Sequence, residues 1–124
     1  MYQVFIVGLG GFIGASLRYI ISMLCLRWLG TFFPYGTLFV NILGCFLIGF
    51  IMELSGGLCP ISSNVKLFLT VGILGGFTTF STFAYETMNM LTKGNYLWGM
   101  TNILLNLFLC IVGVILGKYF AQII

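Results

Sequence analysis

Apolar residues run almost unbroken through four stretches, 3–28, 36–52, 64–90 and 96–120, separated by short polar, aromatic or glycine-bearing joints. A helix crosses the hydrocarbon core with about 20 residues, so each stretch reads as a membrane span. Four spans use up the chain. The pattern predicts an all-α membrane protein with one four-helix transmembrane domain over residues 1–124 and no room for a soluble appendage. The third stretch departs from the rest at Gly72-Ile73-Leu74-Gly75-Gly76-Phe77-Thr78-Thr79-Phe80-Ser81-Thr82-Phe83. Glycines followed by a run of only Thr, Ser and Phe lower helix propensity there, and predict a third helix broken near its middle. Irregular backbone at membrane depth persists only where it is buried in protein or lines a polar cavity. A break would therefore be a site. The alternative is that the glycines and small polar residues simply let helices pack closely.

With 60% hydrophobic and 6% charged residues the chain is an integral membrane protein, as a mean hydropathy of +1.17 also requires. It opens in an apolar stretch without a basic leader or a small-residue cleavage pattern, which predicts a retained first helix and a mature protein beginning near Met1. Cys25, Cys45, Cys59 and Cys110 form no C-x-x-C pair, and histidine is absent, so zinc patterns and thiol redox chemistry have no basis. These cysteines read as small apolar residues. The only acids are Glu53 and Glu86, too little material for acid–base catalysis, and no enzyme is expected. A net charge of +3, dispersed along the chain, points to neither nucleic acid nor a headgroup-binding patch.

The polar residues inside the spans then matter individually. Gly10 and Gly14 share a helical face and predict close helix packing, as do Gly113 and Gly117. Arg18 lies inside the first span, where it faces a vestibule, snorkels to the interface or finds a partner. Asn41, deep in the second span, must bond another helix or line an aqueous path. The joint Ser55-Gly56-Gly57-Leu58-Cys59-Pro60 predicts a turn after Glu53. Phe80 and Phe83 stand three apart on one face beside Ser81 and Thr82. Phenyl edges carry positive charge and can stabilise an anion without a cation that would trap it. Between Lys66 and Lys93 the sequence holds no cation. Glu86 is expected near the interface or paired with a cation such as Arg18. Asn102 and Asn106 share a stripe of the last span and need polar partners, expected among the Thr78–Thr82 hydroxyls and the Asn41 amide.

Lys and Arg flank the spans two against two, with Arg27 and Lys93 on one side and Lys66 and Lys118 on the other, so the chain carries no clear insertion signal. Dual topology follows. Four short helices cannot by themselves enclose a pathway while shielding three asparagines from lipid, which predicts a closed, antiparallel homodimer.

Three motifs in order, Gly11-x-x-Gly14-Ala15-x-x-Arg18-Tyr19, Gly36-Thr37-Leu38-x-Val40-Asn41-x-x-Gly44 and Gly75-Gly-Phe-Thr-Thr-Phe-Ser-Thr-Phe83, resemble the Fluc (CrcB) fluoride channels over essentially the whole chain. The resemblance implies a multi-pass channel of the inner (plasma) membrane, an antiparallel dual-topology homodimer with two pores that export fluoride passively. It places pore phenylalanines at Phe80 and Phe83, a pore asparagine at Asn41 and a hydroxyl track at Ser81 and Thr82. The vestibule arginine falls on Arg18. A central structural Na+ would be held by the backbone carbonyls of Gly75 and Thr78 of both copies. Asn102 and Asn106 join the pore set, although the family commonly has Ser at the second position. Partners implied are fluoride, a second copy of the chain and lipid. Fluoride would exchange part of its water shell for neutral donors and phenyl edges.

Two other readings compete. A small four-span multidrug exporter needs an embedded carboxylate in its first span, where this chain has Arg18 and no acid. A non-transporting scaffold subunit explains the glycine faces but not the hydroxyl, amide and phenyl constellation.

Overall fold

The structure is a computed structural model that describes residues 1–58 and 60–124; Cys59, and with it part of the expected Ser55–Pro60 turn, lies outside the described residues. Among the described residues six α-helices appear in order: α1 (Tyr2–Leu29), α2 (Tyr35–Glu53), α3 (Ser63–Leu67), α4 (Gly75–Phe77), α5 (Phe80–Thr92) and α6 (Tyr96–Ile123). Wider π-helical winding extends α2 through Leu54–Leu58 and joins α3 to α4 through Phe68–Leu74. Four helical stretches, Tyr2–Leu29, Tyr35–Gly57, Ser63–Thr92 and Tyr96–Ile123, are long and apolar enough to cross a membrane. They match the four expected spans to within a few residues at each end.

The third span breaks, but later than expected. Gly72, Gly75 and Gly76 stay helical, and the interruption is confined to Thr78 and Thr79, both extended at φ −82°, ψ 161° and φ −154°, ψ 121°. β-Branched threonine accepts extended backbone readily. The glycines serve a different end. A Cβ on Gly10 would sit 2.8 Å from the Gly72 Cα, one on Gly14 would run into the Ile73 carbonyl, and one on Gly76 would lie 2.6 Å from the Gly11 carbonyl oxygen. Missing side chains thus bring α1 and the upstream half of the third span into backbone contact, where dispersion and weak contacts supply the packing energy.

The same device joins α2 to α6, the most extensive helix pair in the molecule. Gly113 meets Ile42, Gly117 meets Phe46, and Gly49 of α2 meets the Val114 backbone. At one end of this pair Glu53 bonds Lys118 at 3.5 Å and accepts from the Gln122 amide at 2.7 Å. At the other end Trp98 packs edge-to-face with Phe32 and Phe33, pinning the first connection to the start of α6. Gly30 and Gly94, at φ 83° and 82°, terminate α1 and the turn after α5 in the left-handed region that favours glycine.

Backbone contact at Gly14 generates a sharp expectation. Gly14→Ala destabilises the purified protein by about 1–3 kcal/mol in micellar denaturant titration, whereas Gly8→Ala, where an added methyl meets nothing within 4 Å, changes stability by less than about 0.5 kcal/mol.

Candidate functional site

The break strands backbone groups that a continuous helix would pair internally, and the chain supplies each with a partner. Asn41 closes on Thr79 from both sides: its Oδ1 accepts the Thr79 N–H at 2.9 Å, and its Nδ2 donates to the Thr79 carbonyl at 3.1 Å. Gly44, one turn along α2, makes room by leaving its Cβ position to the Thr78 methyl. The Thr78 carbonyl accepts from the Arg18 guanidinium at 3.1 Å. Thr79 then caps α5, its Oγ1 accepting the Thr82 N–H at 3.2 Å.

From Asn41 the hydrogen bonds continue inward. Its second amide hydrogen goes to Asn106 Oδ1 at 3.1 Å, Asn106 donates to Asn102 Oδ1 at 3.0 Å, and Asn102 donates to Thr87 Oγ1 at 2.9 Å. Thr87 returns its own hydrogen to the Phe83 carbonyl at 2.8 Å. Asn102 is fully buried and Asn106 nearly so, so these amides find their partners inside the protein. Asn41 and Asn106 thus find the partners expected of them; Thr87 was not anticipated. A threonine bonding its own helix looks ordinary in sequence, and only the arrival of α6 gives it a second role.

Two cavities flank this chain of bonds. One, about 390 Å³, is mostly apolar and is lined by Asn41, Thr79, Phe80, Phe83 and Asn106 together with Gly75 and Thr78. The other, about 610 Å³, is a more polar vestibule bordered by Tyr19, Thr37, Thr82, Glu86 and Lys93. The Thr79 and Thr82 hydroxyls, 3.0 Å apart, join the two. Phe80 and Phe83 pack with centroids 5.4 Å apart, yet Phe83 is buried and Phe80 remains 74% exposed, so only one ring is sheathed by its own chain. Ser81 is exposed, with Oγ 3.4 Å from the Thr79 hydroxyl.

Two expectations change. Arg18 does not pair with Glu86; it reaches the break instead, and Glu86 accepts from the Thr37 hydroxyl at 2.9 Å. A cation therefore does approach the phenylalanines, brought by α1 to the carbonyl two residues before Phe80. It is held there because that carbonyl has no Thr82 N–H to accept.

Residues 5–118 match the family described as CrcB-like protein, Camphor Resistance (CrcB). The chain belongs to the CrcB-like family. Relatives named fluoride-specific ion channel FluC include those of Clostridium perfringens, 60% identical over 96% of this chain and 93% of the relative, and Clostridium novyi, 55% identical over the same shares. The protein of that name from Dehalococcoides mccartyi is 43% identical over the whole chain and 95% of its own length. This CrcB-like chain is accordingly a multi-pass membrane protein.

The interruption gives the CrcB-like fold two opposed helix ends at membrane depth. Carbonyls close the upstream half; Thr79 N–H being taken by Asn41, the Gly75 carbonyl lacks its usual donor. Such oxygens suit a hard monovalent cation, and the Thr78 carbonyl keeps one lone pair beside the Arg18 bond. Of the two, the Gly75 oxygen is the one left free for such an ion, because the Thr78 oxygen already faces the Arg18 guanidinium. At the downstream end, the Phe80 and Ser81 N–H groups open α5 without an intrahelical acceptor, an arrangement that favours an anion.

Because Asn41 serves three partners at once, Asn41→Ala strands them together. The expected loss is at least about 2 kcal/mol, with faster amide hydrogen exchange concentrated at residues 78–82. Asn41→Asp, which sets carboxylate oxygen against the Thr79 carbonyl and Asn106 Oδ1, is expected to be at least as disruptive in the same measurements.

Proposed function

We propose that this chain conducts fluoride passively across the inner (plasma) membrane and so relieves fluoride toxicity, working as an antiparallel dual-topology homodimer with two pores. The observation that carries this reading is the start of α5. There free N–H groups, the Thr79 and Thr82 hydroxyls and the Phe80–Phe83 pair come together, with the Arg18 guanidinium on the neighbouring Thr78 carbonyl. The names of the relatives, fluoride-specific ion channel FluC, support it from a separate direction.

Fluoride is the smallest halide and the strongest hydrogen-bond acceptor among them. Neutral donors spaced for it replace part of its water shell, while larger halides fit poorly and gain less. Thr82 accepts from Thr79 and keeps its own hydrogen for a guest at the vestibule edge. Phenyl edges extend the favourable potential across the apolar cavity. Arg18 is drawn to the Thr78 carbonyl, so the donors facing the ion are neutral and let it leave as readily as it enters. Asn41 and Asn106 act by holding this surface in shape, since both hydrogens of each amide are engaged within the chain, and Asn102 supports them while giving one of its two to Thr87.

Arg18 raises anion concentration near the break. Na+ at the carbonyls of Gly75 and Thr78 would join the two copies at their centre and supply fixed positive charge there. The second copy, inserted the opposite way, covers the exposed face of Phe80 and completes each pathway.

In liposomes under a valinomycin-clamped potassium gradient, the purified protein is expected to release fluoride rapidly with negligible chloride loss. Protein that is dimeric yet passes neither ion overturns the reading. Phe80→Ile is expected to abolish fluoride efflux while the dimer persists on size-exclusion chromatography; unchanged efflux removes Phe80 from the path.

A further inference from the structure

Among the described residues, Glu86 Oε2 is the one buried side-chain oxygen or nitrogen without a hydrogen-bond partner. Its sister oxygen accepts the Thr37 hydroxyl at 2.9 Å. The one ion pair among the described residues joins Glu53 to Lys118, so no cation stands within salt-bridge distance of Glu86. A carboxylate beside an anion pathway, half-satisfied and uncompensated, calls for an explanation that packing does not give. Burying such an oxygen without a donor is unfavourable, and one hydroxyl is what holds the group in place.

Position supplies the explanation. Thr82 and Glu86 are four apart on α5 and face the same vestibule, which Thr37 borders from α2. An anion at the Thr82 hydroxyl sits one helical turn from the carboxylate and repels it. An anion that reaches Thr37 from the same cavity also competes for its hydrogen, since that hydroxyl can donate to only one acceptor at a time.

We propose that Glu86 is a tethered competitor: its carboxylate occupies the Thr37 hydroxyl when the vestibule holds no fluoride and yields that donor, swinging toward the vestibule water, when fluoride enters. This inference rests on the fluoride-channel reading and adds a residue that sets the concentration at which the vestibule fills. Fluoride then gains a donor and loses a like charge in one movement. Glu86 is a positioning residue here, acting on the ion through Thr37 and through its own charge.

The test compares fluoride efflux rate with internal fluoride concentration for wild type, Glu86→Gln, Thr37→Val and the double variant, all shown to be dimeric. Glu86→Gln should lower the half-saturating fluoride concentration roughly fourfold, the pull of one screened unit charge at a few ångströms, without a matching change in maximal rate. In the Thr37→Val background the same substitution should shift it less. An unchanged or raised half-saturating concentration in Glu86→Gln overturns the proposal and leaves Glu86 as a tether between α2 and α5.

A second measurement needs no variant at Glu86. The chain has only two acidic side chains, both glutamates, so glutamate labelled with carbon-13 at the carboxyl gives two side-chain signals, assigned with Glu53→Gln. Fluoride titration of the intact protein should move the Glu86 signal, leave Glu53 in place, and have no counterpart with chloride. A Glu86 signal that ignores fluoride in protein that conducts it overturns the inference alone. Wild-type protein that conducts no fluoride overturns the channel reading and this inference with it.

Discussion

A helix interrupted inside hydrocarbon must find partners for the backbone groups it exposes, and the bond pair between Asn41 and Thr79 meets that demand. Each unpaired N–H or C=O there would cost several kcal/mol, more than a pair of extended threonines could sustain. One amide side chain offers an acceptor and two donors in a single plane. All three are used, at 2.9 Å, 3.1 Å and 3.1 Å. Arg18 satisfies the neighbouring Thr78 carbonyl. With these contacts made, the break becomes a fixed piece of architecture with opposed helix ends and two cavities beside it.

The glycines make those contacts reachable. Asn41 can touch Thr79 because Gly44 admits the Thr78 methyl, and Arg18 can reach Thr78 because Gly10, Gly14 and Gly76 draw α1 against the third span. On the far side, Gly113 and Gly117 bring α6 close enough to α2 for Asn106 to meet Asn41. Small residues at helix contacts and polar residues in the interior are thus one device. The first sets the distance that the second bridges.

This division explains what could be read from the sequence. Long apolar stretches fix the four spans, because crossing hydrocarbon requires a minimum length. A Thr-rich run after glycines marks a break, and three deep asparagines announce that they need polar partners. The register of the break was harder to see. Glycine lowers helix propensity but also permits close approach, and at Gly72, Gly75 and Gly76 the second effect prevails. Thr87 gave no signal and Thr37 stood only inside a motif without a role of its own, since each acquires its interhelical role only when α6 or α5 arrives. Arg18 and Glu86, opposite charges inside spans, invited pairing. A stranded carbonyl and a hydroxyl held them apart.

The buried amides have a consequence for energy conservation. Their bonds run in one sense, from the Thr79 N–H through Asn41, Asn106 and Asn102 to Thr87 and the Phe83 carbonyl. Water files and chains of acids or histidines relay protons because each member can accept one and release another. A primary amide does not readily do so, because a proton taken at oxygen must be matched by loss from nitrogen to an unstable tautomer. The middle of this protein can therefore be polar without becoming a proton wire.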